Sequence, residues 1–345
     1  MVKLVYFEKW MDPIGLDILS AGGDITVQQL TFSEKPAVNW AQLTSAHGYQ
    51  ALPSTETPEE FYPGQEMLLR CPDLLAVSVS GAGYDMVDVE ACTQAGVLVV
   101  NQTGANSESV AQHALGLMLS LCKQINQTDR AIHRPQRDWT RWDYTGDELT
   151  GRTLGIIGLG QIGRRLAEIS KVFAMNVIAY DPYLSDADFA ERGATSVSLD
   201  TLLATADFVS VHCPLTDETR GMIGDQEFRA MKPNAIFIST ARGGIHDEVA
   251  LESVIAGNAI AGAGVDVFVT EPPAHDHPLL KYDNVIASPH NAGVTTDCLF
   301  NMGKWSAEQW LDIIAGRRPP RYKNPDSWGR YADRYKRIMG KPVVE

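Results

Sequence analysis

Short apolar runs alternate along this chain with longer segments whose apolar residues recur every three or four positions. The first pattern predicts buried parallel strands, the second amphipathic helices. In the first hundred residues the clearest strands are Leu4–Phe7, Leu75–Ser78 and Val97–Val100, and the last two flank SGAGYDMVDVEACTQAG. Such alternation implies a small parallel sheet with ligand-facing loops at the carboxyl ends of its strands, and Ser80, Gly81, Ala82 and Gly83 sit at one such end. Val110, Ala114, Leu117 and Leu121 follow helical spacing and predict a long helix leading from a first domain to a second. From residue 153 the strand–helix unit recurs, with runs at Leu154–Ile157, Val177–Tyr180, Phe208–Val211, Ala235–Ser239, Gly262–Asp266 and Val285–Ala287. Six strands match the doubly wound dinucleotide fold in number. Thr296–Ala315 reads as a helix returning to the first domain, with Leu299, Met302, Trp310, Ile313 and Ile314 on its apolar face. The predicted fold class is α/β, with two doubly wound parallel-sheet domains.

The chemistry enters at TLGIIGLGQIG, where the apolar run Leu154–Ile157 leads into Gly158-x-Gly160-x-x-Gly163 and a helix-compatible segment. Asp181 follows the next apolar run, eighteen residues beyond Gly163. Strand, glycines, helix and acid together form the βαβ dinucleotide fingerprint. Gly158 permits a tight turn, Gly160 lets the backbone approach a pyrophosphate and Gly163 lets helix and strand pack closely. The helix start at Gln161 and Ile162 offers free N–H groups to phosphate. Asp181 suits the ribose hydroxyls and repels a 2′-phosphate, so NAD is expected over NADP, although Arg164 and Arg165 stand close in sequence.

Composition narrows the partners. The chain has 345 residues, too many for one ordinary core, and a net charge of −14, which argues against nucleic acid and anionic membranes. The opening MVKLVYF carries no signal-peptide pattern, and no apolar stretch approaches the ~18 residues of a bilayer span. The five cysteines are scattered outside any CxxC or zinc-ligand spacing, so reduced thiols and a cytoplasmic protein are expected. Segment 127–150 holds two tryptophans among charges and reads as a surface loop or an arm packing on another subunit, the size of the tryptophans favouring the subunit contact. The tail 317–345 holds nine of the 29 lysines and arginines, and the expectation is that it clamps the protein's own acidic surface.

Three polar residues follow late strands: Arg242 after AIFISTA, Glu271 after GVDVFVT and His290 after NVIASP. Hydride chemistry on a 2-oxo acid needs a cation for the carboxylate and carbonyl, a proton donor, and a group that keeps the donor protonated. Arginine, histidine and a carboxylate suit those roles. Taken singly, each has a plainer reading, as a surface ion pair, a turn acid before Pro272-Pro273, and a capping residue.

The ordered set GLGQIG, YDP, HCPLTDETRGMI, ARGG, GVDVFVTEPP and SPHNAG closely resembles the D-isomer-specific 2-hydroxyacid dehydrogenase family, and SGAGYD and VAQHALGLML extend the likeness over nearly the whole chain. The resemblance implies a Rossmann NAD-binding domain, residues 102–295, inserted into a flavodoxin-like substrate domain built from 1–101 and 296–345. It implies Arg242 on substrate, His290 as acid–base and Glu271 as its partner, with the Ser80–Gly83 backbone holding the carboxylate of a small 2-oxo or 2-hydroxy acid and the nicotinamide lying between the domains. Cys213, Pro214, Thr240 and Ala241 would line the cofactor cleft, Asp266 would face the nicotinamide amide, and a homodimer is implied. Gln112, Ser239-Thr240 and His246 depart from the family pattern. His275 and His277 lack a convincing third ligand, so no metal is expected. A phosphoglycerate dehydrogenase, and an NAD-sensing protein of the corepressor type, are the alternatives.

Overall fold

A computed structural model describes residues 1–344, and the chain separates into two compact units, Ser107–Val294 and the two flanking stretches taken together. In the flanking unit, β1 (Val2–Phe7), β2 (Ile25–Leu30), β3 (Gly48–Ala51), β4 (Ala76–Val79) and β5 (Leu98–Asn101) form one parallel sheet in the order β2-β1-β3-β4-β5. That is the flavodoxin-like order. Every residue of β3, β4 and β5 is buried, which is why the strands read as continuous apolar runs rather than alternating ones. β2 is the half-exposed edge strand ITVQQL, and its polar positions hide it from an apolar-run reading.

The second unit carries β6 (Thr153–Ile157), β7 (Asn176–Tyr180), β8 (Thr195–Ser196), β9 (Phe208–Val211), β10 (Ile236–Ser239), β11 (Gly262–Val265) and β12 (Val285–Ala287). All pairs are parallel, in the order β12-β11-β10-β9-β6-β7-β8. The sheet has seven strands rather than the six expected from sequence. The added one, β8, is an exposed pair of hydroxyl residues at the edge and leaves no apolar signal. Strand order reverses between β6 and β9, where Ile157 lies opposite Val211, so loops at this switch point diverge and leave a crevice.

The tail lies on its own unit, but chiefly through apolar packing, carbonyls and ring faces, and only in part through acidic surface. Tyr331 and Tyr335 of the helix Trp328–Met339 are fully buried against Leu4, Leu98, Val100 and Trp310. Arg334 donates to the carbonyls of Leu74, Pro72 and Ala95 at 2.7, 2.8 and 3.1 Å. The Arg318 guanidinium sits 4.5 Å from the Trp328 ring centre. The cations mostly serve carbonyls and ring faces, with Asp73 (to Arg337) and Asp312 (to Arg317) as carboxylate partners. In segment 127–150, Trp142 is 69% exposed, while Trp139 is half-buried and edge-on to Tyr144. Among the described residues no helix is long and apolar enough to cross a membrane.

His246 is an anomaly of the second core. It is 1% exposed, packs edge-on to Phe237 at 5.3 Å, and neither ring nitrogen has a hydrogen-bond partner. Burial pushes its pKa down to about 4. The unfolded chain therefore binds a proton that the fold excludes, so stability falls as pH drops from about 6.5 toward 4. The full fall amounts to about 3 kcal/mol.

Two outcomes follow from this packing. Arg334→Met lowers the unfolding free energy by about 2–3 kcal/mol, read by denaturant titration, and an unchanged midpoint contradicts the docking described. His246→Leu flattens the loss of stability between pH 7 and pH 4; a slope equal to wild type shows that the imidazole does not drive it.

Candidate active site

The fingerprint loop closes as its glycines predict. Gly158 has φ +90°, and a Cβ there would lie 2.6 Å from the Cys213 amide nitrogen, so any side chain would strike the end of β9. A Cβ on Gly163 would lie 2.3 Å from the Gly158 carbonyl oxygen, which is how closely the helix Gln161–Ser170 approaches β6. Gly160, the N-cap, makes no side-chain cap and has nothing within 4 Å of where a Cβ would stand. Open space, uncapped N–H groups and the positive helix end fit a pyrophosphate.

Asp181, at the end of β7, accepts the Leu159 amide at 3.0 Å and the Tyr183 amide at 3.2 Å, which fixes its carboxylate over the loop. Arg165 is held by Glu108 at 2.6 Å and Glu168 at 2.7 Å, and Gln112 donates to the same Glu108. Arg164 bonds Gln161 at 3.0 Å. Arg192, which the sequence reading passed over, donates to the Leu159 carbonyl at 2.7 Å and so pins the loop from the next helix. On the other side of the switch point, burial pushes the Cys213 thiol up to about 11, so it stays protonated and apolar in character. Pro214 continues the same turn; Thr240 Oγ1 stands 3.5 Å from His212 Nδ1.

Arg242, Glu271 and His290 lie on the loops that follow β10, β11 and β12. Arg242 Nη1 donates to the Ala241 carbonyl at 2.7 Å. A Cβ on Gly243 would fall 2.0 Å from the Phe268 carbonyl oxygen, so glycine is what lets the Arg242 loop lie directly on the Glu271 loop. The contact at the centre is His290 Nδ1 to Glu271 Oε2, 2.6 Å, while Glu271 Oε1 accepts the Phe268 amide at 2.9 Å. Burial works to raise the Glu271 pKa. The hydrogen bonds from His290 and Phe268 and the charges of His290 and Arg242 outweigh it and hold the carboxyl below its usual range. An ionised Glu271 makes Nδ1 the donor and leaves Nε2 for a substrate.

His290 has φ +53°, the left-handed region that a β-carbon disfavours. Its loop is held there by Asp266, which is fully buried. Asp266 Oδ1 accepts Ser288 Oγ at 2.6 Å and the Asn291 amide at 3.0 Å, Oδ2 accepts the Ala292 amide at 3.0 Å, and its own carbonyl accepts the His290 amide at 2.8 Å.

In the flanking unit, the Ser80–Gly83 loop differs from a uniform row of free amides. The Ser80 amide donates to the Ala51 carbonyl and the Gly81 amide to Gln102 Oε1, both at 2.9 Å. Asn101 Nδ2 donates to the Ala82 carbonyl at 2.6 Å, and Gln50 to Ser80 Oγ at 3.0 Å. The Ala82 and Gly83 amides donate to no acceptor among the described residues, so these two, rather than all four, are available to an anion. Gln102, fully buried, is the residue that sets this arrangement. A lone glutamine at a strand end carries no motif, and only its burial reveals it. His277, adjoining the proline-flanked loop, faces Glu248 at 3.2 Å.

A family model described as the D-isomer specific 2-hydroxyacid dehydrogenase NAD binding domain matches residues 115–292. A D-3-phosphoglycerate dehydrogenase of Archaeoglobus fulgidus is 41% identical over 251 residues, 73% of this chain and 47% of that protein. A glyoxylate reductase of Aeropyrum pernix is 36% identical over 264 residues, 75% of this chain and 79% of that protein. The solved D-lactate dehydrogenase of Aquifex aeolicus, complexed with NAD and lactic acid, matches with a TM-score of 0.79 at 26% identity over 93% of this chain and 99% of that one. The chain spans about half the length of the phosphoglycerate dehydrogenases it matches. Half of the chain fits the family's nucleotide-binding model and a relative is matched over most of its own length, so the chain belongs to the D-isomer-specific 2-hydroxyacid dehydrogenase family.

Proposed function

We propose that this chain is an NAD-dependent oxidoreductase interconverting a 2-oxo acid and a D-2-hydroxy acid. The observation that carries the reading is the 2.6 Å contact of His290 with Glu271, with Arg242 on the adjoining loop. NADH, when bound, supplies the hydride to the carbonyl carbon. Gly158–Gly163 and Asp181 would hold its pyrophosphate and ribose, and Cys213, Pro214, Thr240 and Ala241 would line its cleft. Because Asp181 is fixed by two backbone amides and Arg165 is tied to two glutamates, NAD is favoured over NADP.

Each residue then has one task. Arg242 pairs with the carboxylate and carbonyl oxygens, and the Ala82 and Gly83 amides support the carboxylate. His290 delivers the proton from Nε2 to the carbonyl oxygen as it gains charge, and takes it back in the reverse direction. Glu271 fixes the ring by accepting from Nδ1, which orients Nε2. The reading includes a cytoplasmic homodimer; the net charge of −14 argues against a nucleic-acid partner, and the exposed Trp142 supports segment 127–150 as the subunit contact.

The decisive experiment is oxidation of NADH and NADPH by purified protein against a panel of 2-oxo acids that includes glyoxylate, hydroxypyruvate, pyruvate and 2-oxoglutarate. Turnover with NADH at least about tenfold better than with NADPH is expected. NADH binding with no turnover across the panel overturns the oxidoreductase reading in favour of a nucleotide sensor. His290→Ala and Arg242→Ala each lower kcat/KM by on the order of 10²–10⁴ with NADH affinity retained, and turnover near wild type removes the assigned role. Glu271→Gln replaces the carboxylate that accepts from His290 Nδ1 with a neutral amide, loosens the ring and lowers kcat/KM by on the order of 10²-fold with NADH affinity retained. A kcat/KM equal to that of wild type contradicts the pairing.

A further inference from the structure

Two cations near the Ser80–Gly83 loop are unused by the function above. The segment carrying them is pinned to β5: the Lys323 amide donates to the Val99 carbonyl at 2.7 Å, and the Asn101 amide to the Arg321 carbonyl at 3.4 Å. Arg321 Nε donates to the Thr103 carbonyl at 3.2 Å, and its guanidinium lies 4.0 Å from the Trp305 ring centre. The Lys323 ammonium lies 5.9 Å from the ring centre of Tyr84, the residue that follows Gly83. Asn101 ties this corner to the Ala82 carbonyl.

Both cations are half-buried, and among the described residues no carboxylate lies within ion-pair distance of either. Glu308 acts on Arg321 only from farther away and is paired with Lys304 at 3.9 Å. Burial lowers the pKa of both side chains, and the charge of Arg321 lowers that of Lys323 further, so each proton is held against desolvation and one against its neighbour. This is unusual in a chain with 43 acidic and 29 basic residues, where carboxylates are plentiful. Nor are the hydrogen-bonding groups consumed as in Arg334, whose donors all meet carbonyls. Arg321 commits Nε alone, leaving the two Nη groups, and the Lys323 ammonium has no acceptor among the described residues. An ammonium and the outer edge of a guanidinium, desolvated together, suit an anion with two or more oxygens.

We propose that Arg321 and Lys323 form an anion subsite beside the Ser80–Gly83 loop that receives a second anionic group, carboxylate or phosphate, at the far end of the 2-oxo acid. The inference rests on the proposed function for its substrate and on the unpaired cations for its site. The substrate is then dianionic, with its 2-oxo carboxylate at the Ala82 and Gly83 amides and its other anionic group at Arg321 and Lys323.

The test compares wild type with Arg321→Met, Lys323→Met and the double variant on matched substrates. 2-Oxoglutarate and 2-oxopentanoate share a chain length and differ in the terminal carboxylate; 3-phosphohydroxypyruvate supplies the phosphate. Wild type should favour a charged-tail substrate over 2-oxopentanoate by at least about tenfold in kcat/KM, expressed in KM, and the double variant should bring that ratio near one. Which of the two charged substrates wins identifies the group. Lys323→Arg, which keeps the charge, should restore most of the preference. A ratio that the double variant does not change overturns the subsite. Saturable binding of inorganic phosphate, followed by tryptophan fluorescence, tests the same residues without turnover. Binding by wild type and its loss in the double variant support the subsite even if every 2-oxo acid is inert, the result that would defeat the proposed function alone. Phosphate binding that is absent in wild type, or persists in the double variant, defeats the subsite.

Discussion

The buried carboxylate of Asp266 holds the catalytic corner together. It stands just beyond β11, and its two oxygens accept from Ser288, Asn291 and Ala292, while its carbonyl accepts from His290. A left-handed conformation at a non-glycine residue costs about 1–3 kcal/mol and survives only where its surroundings over-determine it. Here the residues on both sides of His290 bond one anion, and the imidazole is tied to Glu271. The strain at His290 is thus opposed by a rigid anchor, and in the proposed reaction the ring nitrogen offered to substrate is aimed before substrate arrives.

Sheet topology explains why these residues converge. Parallel strands deliver their following loops to one edge, so Arg242, Glu271 and His290, far apart in sequence, come from three successive neighbours β10, β11 and β12. The nucleotide fingerprint lies at the switch point between β6 and β9, two strands away from β11 in the same sheet. Glycine at 158 and 243 lets loops from neighbouring strands pass within contact of each other's backbone. Arg242 then lies over the loop that carries Glu271, and its charge contributes to keeping that carboxyl ionised.

Much of this was legible in the sequence, for reasons that are physical. Buried parallel strands announce themselves as apolar runs, and the fingerprint binds glycine spacing to a strand, a helix and an acid. What escaped was whatever leaves no periodic or charged signal. The edge strand β8 is two hydroxyl residues, β2 is half polar, and Gln102 matters through burial and the hydrogen bond it accepts from the Gly81 amide. The tail was expected against acidic surface because composition counts charges, whereas its cations chiefly meet carbonyl oxygens and aromatic faces that composition cannot count. The Ser80–Gly83 loop was correctly singled out as a strand-end loop. Which of its amides remain for a ligand depended on Ala51 and Gln102, which only the fold brings near.

The measurement that bears most directly on the central claim is the split between kcat and NADH affinity in Asp266→Asn. An amide keeps the volume but turns an N–H toward donors that the carboxylate accepts, so the His290 loop loses its anchor. The account predicts a fall in kcat of about a hundredfold or more, the scale on which small misplacements of catalytic groups act, with the NADH dissociation constant held within about threefold. A variant that turns over like wild type, or one that loses NADH affinity while keeping kcat, would show that Asp266 does not act by placing His290.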